Sequence, residues 1–171
     1  LSNVIVRDTV EGSAGLGACG IELLGNVDLT AEGCLVEGNA GTGILASSSG
    51  TTVRLKGVTV RDNLASPDGA TGRGIEVNSG ATLWAEDCRL EHNSDIGFVA
   101  AGEGTAARLV DVEVLDTQTR PDGTNGRGIN IQEGAILEAV HVLVEDNRDV
   151  GVFAASAGTR AHLAGVHILG T

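Results

Sequence analysis

Hydrophobic and polar residues alternate along this chain in short segments that are separated by Gly, Asn and Ser. In one stretch, apolar residues take the first and third positions of three successive three-residue segments, 75–77, 83–85 and 88–90. A period of two over so few residues is the pattern of a β-strand. Because no helical period occurs between the segments, the pattern predicts an all-β coil with three short strands in each turn.

A dipeptide of Gly and an apolar residue recurs at intervals of 23, 31, 23, 31 and 23 residues, so the full repeat is 54 residues and contains two turns. A fixed period of this size is typical of a solenoid, in which each repeat covers the apolar face of the next. The six copies are Gly20-Ile21, Gly43-Ile44, Gly74-Ile75, Gly97-Phe98, Gly128-Ile129 and Gly151-Val152.

A second column of Asn and Thr follows the third strand of each turn. Asn tolerates the left-handed conformation of a sharp bend, so we expect the bend at this column. Stacked amides can also hydrogen-bond to one another along the coil. The column therefore predicts a ladder that includes Asn39, Asn63, Asn93 and Asn147, with Thr at its other positions (Thr9, Thr117 and Thr171).

With these two columns the chain resembles the right-handed parallel β-helix proteins of the pectate-lyase-like superfamily. It is closest in pattern to the non-enzymatic repeats of bacterial surface and secreted proteins. The resemblance implies a single right-handed parallel β-helix domain over residues 1–171 with about seven turns. Since neither end carries a capping segment, we expect a slice of a longer solenoid or end-to-end stacking with other molecules.

Composition agrees with a narrow coil and excludes two classes of partner. The 171 residues include 26 Gly and 42% apolar residues but only 2% aromatic ones, so the core must be built from Val, Ile, Leu and Ala. The formal charge of −12 argues against nucleic acid and against anionic membrane surfaces. We expect no membrane insertion, because no apolar run approaches the length of a span. Cys34 and Cys88 share a column of Val and are expected in the core.

Every second turn carries about eight extra residues, at 10–19, 64–73 and 118–127. Two of these insertions contain Pro-Asp-Gly, a turn-forming sequence, and end in Arg. Loops on a rigid scaffold are where binding residues concentrate, so these insertions are the candidate ligand-contact loops. Their candidate residues form two Asp/Arg sets, which we interpret either as ion pairs bracing each loop or as parts of a duplicated turn: Asp68 with Arg73, and Asp122 with Arg127.

Other chemistry is weakly indicated. Asp62 and Asp116 share a column two turns apart, and they are the candidates for weak calcium binding; otherwise no cofactor or metal is expected. The same pair could suit a hydrolase only if both faced one groove. Trp84 alternates with inward residues and should face solvent, where it could stack on a sugar ring or on Arg108 of the next turn.

Two functions follow. The leading hypothesis is a non-catalytic segment of a bacterial extracellular or surface protein, acting as a rigid spacer or as an adhesive surface that contacts glycan. The alternative is a carbohydrate-active β-helix, a polysaccharide lyase or hydrolase, with its site on the loop edge or outside this segment. A surface that repeats from turn to turn favours the spacer.

Overall fold

The computed structural model describes residues 1–10, 18–66, 69 and 71–171 of the chain. Nineteen strands occur there, and each of the first sixteen hydrogen-bonds in parallel to the strand three places further along. Three parallel sheets form the three sides of a coil that completes six turns and adds one further strand. The predicted all-β, three-strand turn is therefore confirmed.

The three sheets are named here in the order in which the chain enters them. The first contains β1 (Ile5–Arg7), β4 (Leu35–Glu37), β7 (Thr59–Arg61), β10 (Arg89–Glu91), β13 (Glu113–Leu115), β16 (Leu143–Glu145) and β19 (His167–Leu169). The second contains β2 (Ala18–Leu24), β5 (Gly41–Ser47), β8 (Ile75–Asn78), β11 (Ile96–Ala101), β14 (Arg127–Gln132) and β17 (Val152–Ala154). The third contains β3 (Asp28–Glu32), β6 (Thr52–Lys56), β9 (Thr82–Glu86), β12 (Ala106–Val110), β15 (Ile136–Val140) and β18 (Arg160–Ala164).

The core is one continuous column of small branched side chains along the axis of the coil. In-register pairing stacks like on like, as in the row Val36, Val60, Leu90 and Val114 of the first sheet. Cys34 and Cys88 are buried there as free thiols, which confirms their assignment to the core.

The asparagine ladder is present and has an interruption. Asn39 Nδ2 donates to Asn63 Oδ1 at 2.9 Å, and Asn63 Nδ2 donates to Asn93 Oδ1 at 2.7 Å. Thr117 occupies the next place, so Asn93 Nδ2 donates instead to the carbonyl of Val60 at 3.0 Å. The Oγ1 atom of Thr117 is buried without a hydrogen-bond partner in the described part of the chain.

The position predicted for the left-handed bend is wrong by one residue. The positive φ lies at the residue before each Asn or Thr, for example at Asp62 (φ 55°) before Asn63 and at Asp116 (φ 46°) before Thr117. The physical reason is that the ladder side chain must point inward to meet its neighbours, so the preceding residue makes the turn. Asp and Gly accept that conformation at little cost and fill most of this column.

The recurring Gly of each Gly-apolar pair is required by close packing against the ladder. A Cβ atom on Gly43 would lie 2.6 Å from Val60 Cγ1, 2.7 Å from Asn63 Nδ2 and 2.8 Å from the Gly74 carbonyl oxygen. Such distances leave no room for any side chain. The Gly column and the Asn column therefore pack directly against each other.

Candidate functional site

Asp95 anchors the loop edge, which is the side of the coil that carries insertions 64–73 and 118–127. Its side chain is fully buried at the start of β11, where it accepts hydrogen bonds from Arg73 Nε (3.1 Å), Arg120 Nε (2.7 Å) and Asn125 Nδ2 (2.6 Å). Its backbone binds insertion 118–127 near both ends. The Asp95 N–H donates to the carbonyl of Gln118, and the Asp95 carbonyl accepts from the N–H of Gly126, each at 2.9 Å. One carboxylate therefore fastens insertions 64–73 and 118–127 together.

Arg73 braces the loop edge through two carboxylates. Its guanidinium pairs with Asp95 and, at 2.7 Å, with Glu76 of β8. Burial opposes the charged form of Arg73, but the carboxylates of Glu76 and Asp95 outweigh it and raise the pKa of this side chain. Asp68, the predicted partner, lies outside the described residues.

Arg127 repeats this arrangement one period later. Its Nε atom lies 3.3 Å from Asp149 Oδ2, and its guanidinium lies 4.0 Å from the centroid of the Phe153 ring. The prediction that Asp122 pairs with Arg127 is wrong, because the Asp122 carboxylate accepts from the N–H (2.9 Å) and Oγ1 (2.6 Å) of Thr124. These hydrogen bonds lower the pKa of Asp122. Asp122 thus caps the Pro-Asp-Gly turn, for which Gly123 supplies the predicted positive φ.

A polar pocket lies on the outer face of the second sheet, next to Arg73. The middle strand β11 carries only Val99 and Ala101 on this face, and its neighbours carry longer polar side chains. Parallel strands lie about 4.8 Å apart, so the two walls are separated by about 9–10 Å. The pocket has a volume of about 270 Å³. Its walls include Arg73, Glu76 and Asn78 on the β8 side and Asn130, Gln132 and Glu133 on the β14 side.

The equivalent place one 54-residue period earlier has different chemistry. Cys19 stands where Arg73 stands, Leu24 where Asn78 stands, and Leu45 where Val99 stands. Burial and the neighbouring Glu22 raise the pKa of Cys19 to about 11, so this thiol stays protonated at neutral pH. The outer face of the second sheet therefore differs between the two periods. The spacer hypothesis assumed the opposite, a surface that repeats.

Asp62 and Asp116 lie on either side of His92. His92 Nδ1 is 3.7 Å from Asp62 Oδ1, and His92 Nε2 is 3.1 Å from Asp116 Oδ2. Arg148 adds a contact of 3.2 Å to the other oxygen of Asp116. The two carboxylates are thus engaged with basic side chains, and the described residues contain no group of three or more His, Cys, Asp or Glu suited to a metal.

Trp84 is 46% exposed on the outer face of the third sheet, as the alternation predicts. The guanidinium of Arg108, from the adjacent strand β12, lies 5.2 Å from the ring centroid, so Trp84 makes one of the two contacts considered for it. Trp84 is on a different side of the coil from the insertions, since β9 belongs to the third sheet. It therefore forms no common site with Arg73 and Arg127.

Sequence reasoning missed Asp95, the residue that organises the loop edge. A signal was present, because Asp149 follows Asp95 by one full period and Arg73 and Arg127 show the same spacing. The Asp residues lie in short turns and the Arg residues in the insertions, so pairing within one loop seemed more direct than pairing between turns.

These features define a solenoid repeat protein whose elaborated side is the loop edge. A family model described as right handed beta helix region matches residues 1–168, and the chain belongs to this family. Searches of the curated proteins and of the solved structures returned no significant match. Among the described residues, no helix is long and apolar enough to cross a membrane.

Proposed function

We propose that this chain is a non-catalytic binding segment of a bacterial extracellular or cell-surface β-helix protein, and that its loop edge contacts glycan. The observation that carries the proposal is the buried Asp95 carboxylate. It joins Arg73 of one insertion to Arg120 and Asn125 of the next, and so fixes these three side chains relative to one another. A preorganised surface binds without first losing the freedom of its loops.

The charged residues of the loop edge favour binding over catalysis. A base must be able to lose its proton near the working pH, whereas the raised pKa of Arg73 keeps its guanidinium charged. The carboxylates of Asp62 and Asp116 have His92 between them, which is unlike two acids facing one glycosidic bond. Both arguments support a scaffold that presents fixed polar groups.

The proposal is tested on a glycan array with the purified chain, with and without calcium. Deletion of residues 119–126 or 65–72 should abolish binding while the β-type circular dichroism spectrum is retained, because the insertion-free turns close the coil without such loops. Binding that survives both deletions would contradict the proposal. Cleavage of a bound polysaccharide would instead support the carbohydrate-active alternative.

A further inference from the structure

The polar pocket of the second sheet differs from its surroundings in both shape and chemistry. Its floor at Ala101 is small, and the amides of Asn78 on β8 and Gln132 on β14 face each other across it. Across Val99, Glu76 faces Asn130. One period earlier, Ser47 stands in place of Ala101, and Leu24 faces Asn78 across it. The facing pair of amides is therefore not repeated at that place.

The pocket is built on a rigid base. Arg73 forms its end wall and is fixed from behind by the fully buried Asp95. Asn78 Nδ2 donates to Glu76 Oε1 at 2.9 Å, and Asn130 Nδ2 donates to Gln132 Oε1 at 3.3 Å. Each amide carries two donor hydrogens and an acceptor oxygen, so these contacts leave hydrogen-bonding capacity for a ligand.

The local charge excludes anionic ligands. The residues that line the pocket carry one positive charge, on Arg73, and two negative charges, on Glu76 and Glu133, so their formal charge is −1. Arg73 is already paired with Glu76 and Asp95. Arg127, whose Nη1 lies 3.5 Å from Asn130 Oδ1, is paired with Asp149, so neither guanidinium is free for a ligand carboxylate or sulfate. The chemistry suits neutral groups that both donate and accept, which is the character of hydroxyls.

The size of the pocket limits the ligand to one ring. Its volume of about 270 Å³ is just below the range of about 300–1,000 Å³ that is typical of small-molecule sites. We propose that this pocket binds a single neutral sugar residue, with its hydroxyls on Asn78, Gln132 and Glu76 and its ring over Ala101. This inference rests on the proposed function and names the ligand class and its place.

The test is a ¹H–¹⁵N NMR titration of the chain with methyl glycosides of glucose, galactose, mannose and N-acetylglucosamine, with methyl glucuronide and galacturonide for comparison. At least one neutral glycoside should bind with a millimolar Kd and shift the side-chain amide signals of Asn78 and Gln132. The variants Asn78→Ala, Gln132→Ala and Ala101→Leu, the last of which fills the floor, should each weaken binding at least tenfold. Leu24→Ala, at the position equivalent to Asn78 one period earlier, is the matched control and should leave Kd unchanged.

Four results would overturn the inference. Preferred binding of the uronides would contradict the charge argument, and equal binding by Ala101→Leu would place the ligand elsewhere. Glycan binding that depends on the loops but not on Asn78, Gln132 or Ala101 would reject the pocket and leave the proposed function standing. Absence of binding to every glycoside and to the array would reject both.

Discussion

The Arg73–Asp95 and Arg127–Asp149 pairs have the same spacing and join the same atoms, yet their environments differ. The Nε to Oδ2 distances are 3.1 and 3.3 Å. The side chain of Asp95 is 0% exposed, whereas that of Asp149 is 43% exposed, because Arg120 and Asn125 of the following insertion cover only Asp95. One sequence motif thus produces a buried anchor in one place and a surface ion pair in another.

The comparison shows that burial of an ion pair, rather than its presence alone, decides how much it contributes to the free energy of unfolding. Exposed ion pairs contribute about 0–1 kcal/mol, since water solvates both partners when they part. Breaking a buried pair costs about 3–5 kcal/mol, because the remaining charge is left without compensation. Arg73 and Arg120 are about one-fifth exposed, so we place the cost of losing Asp95 at the low end of that range.

The largest expected effect is that of Asp95→Ala. This substitution should lower the free energy of unfolding by about 3 kcal/mol, since two guanidinium groups and one amide lose their shared acceptor. The matched variant Asp149→Ala should change it by less than about 1 kcal/mol. Urea unfolding followed by circular dichroism measures both, and equal losses in the two variants would contradict the distinction between them.

The asparagine ladder is a second buried contact whose loss should be costly. Asn93→Ala removes the acceptor of Asn63 Nδ2 and the donor to the Val60 carbonyl, so we expect a loss of about 2 kcal/mol. Asn93→Thr should cost less, because Thr already occupies the same column at Thr117. An unchanged unfolding midpoint for Asn93→Ala would show that the ladder contributes nothing to stability.

Arg120→Ser sharpens the comparison by partly uncovering Asp95. Ser66 stands at this position one period earlier, so the insertion should keep its turn. With Arg73 and Asn125 still bound to Asp95, we expect a smaller loss of about 1 kcal/mol. Amide hydrogen exchange in residues 118–127 should increase at the same time. A loss as large as that of Asp95→Ala would mean that Arg120 alone holds the edge.

Cys19 occupies the position of Arg73 one period earlier, and its reactivity can be measured on the folded protein without a substitution. Raising the pKa from 9.0 to about 11 lowers the thiolate fraction about a hundredfold at pH 8. Because a more basic thiolate is also a stronger nucleophile, alkylation of Cys19 should be about tenfold slower than that of an ordinary thiol. The rate should rise about tenfold per pH unit until the pH reaches the pKa. Rapid alkylation at pH 8 would show that Cys19 is more open than its surroundings in the structure imply. Cys34 and Cys88, which are buried in the core, should react only on unfolding.

The regular features of this fold could be predicted because they depend on contacts that recur at fixed spacing. Alternation at 75–77 and 83–85 places strands, and the Gly and Asn columns set the 54-residue period. The register follows, since a shift of one residue would turn every core side chain outward. The exposure of Trp84 and the burial of Cys34 and Cys88 come from the same alternation.

The site depended on contacts between turns that no local pattern encodes. Asp95 and its partners Arg73, Arg120 and Asn125 are separated by 22, 25 and 30 residues, and only the coiling of the chain brings them together. The bend at Asp62 was likewise set by which side chain the packed coil directs inward. Sequence alone thus determined the strands, core and period, because each turn repeats them. Tertiary structure decided the partners of each charge and the polar pocket, because these depend on which neighbouring turn covers them.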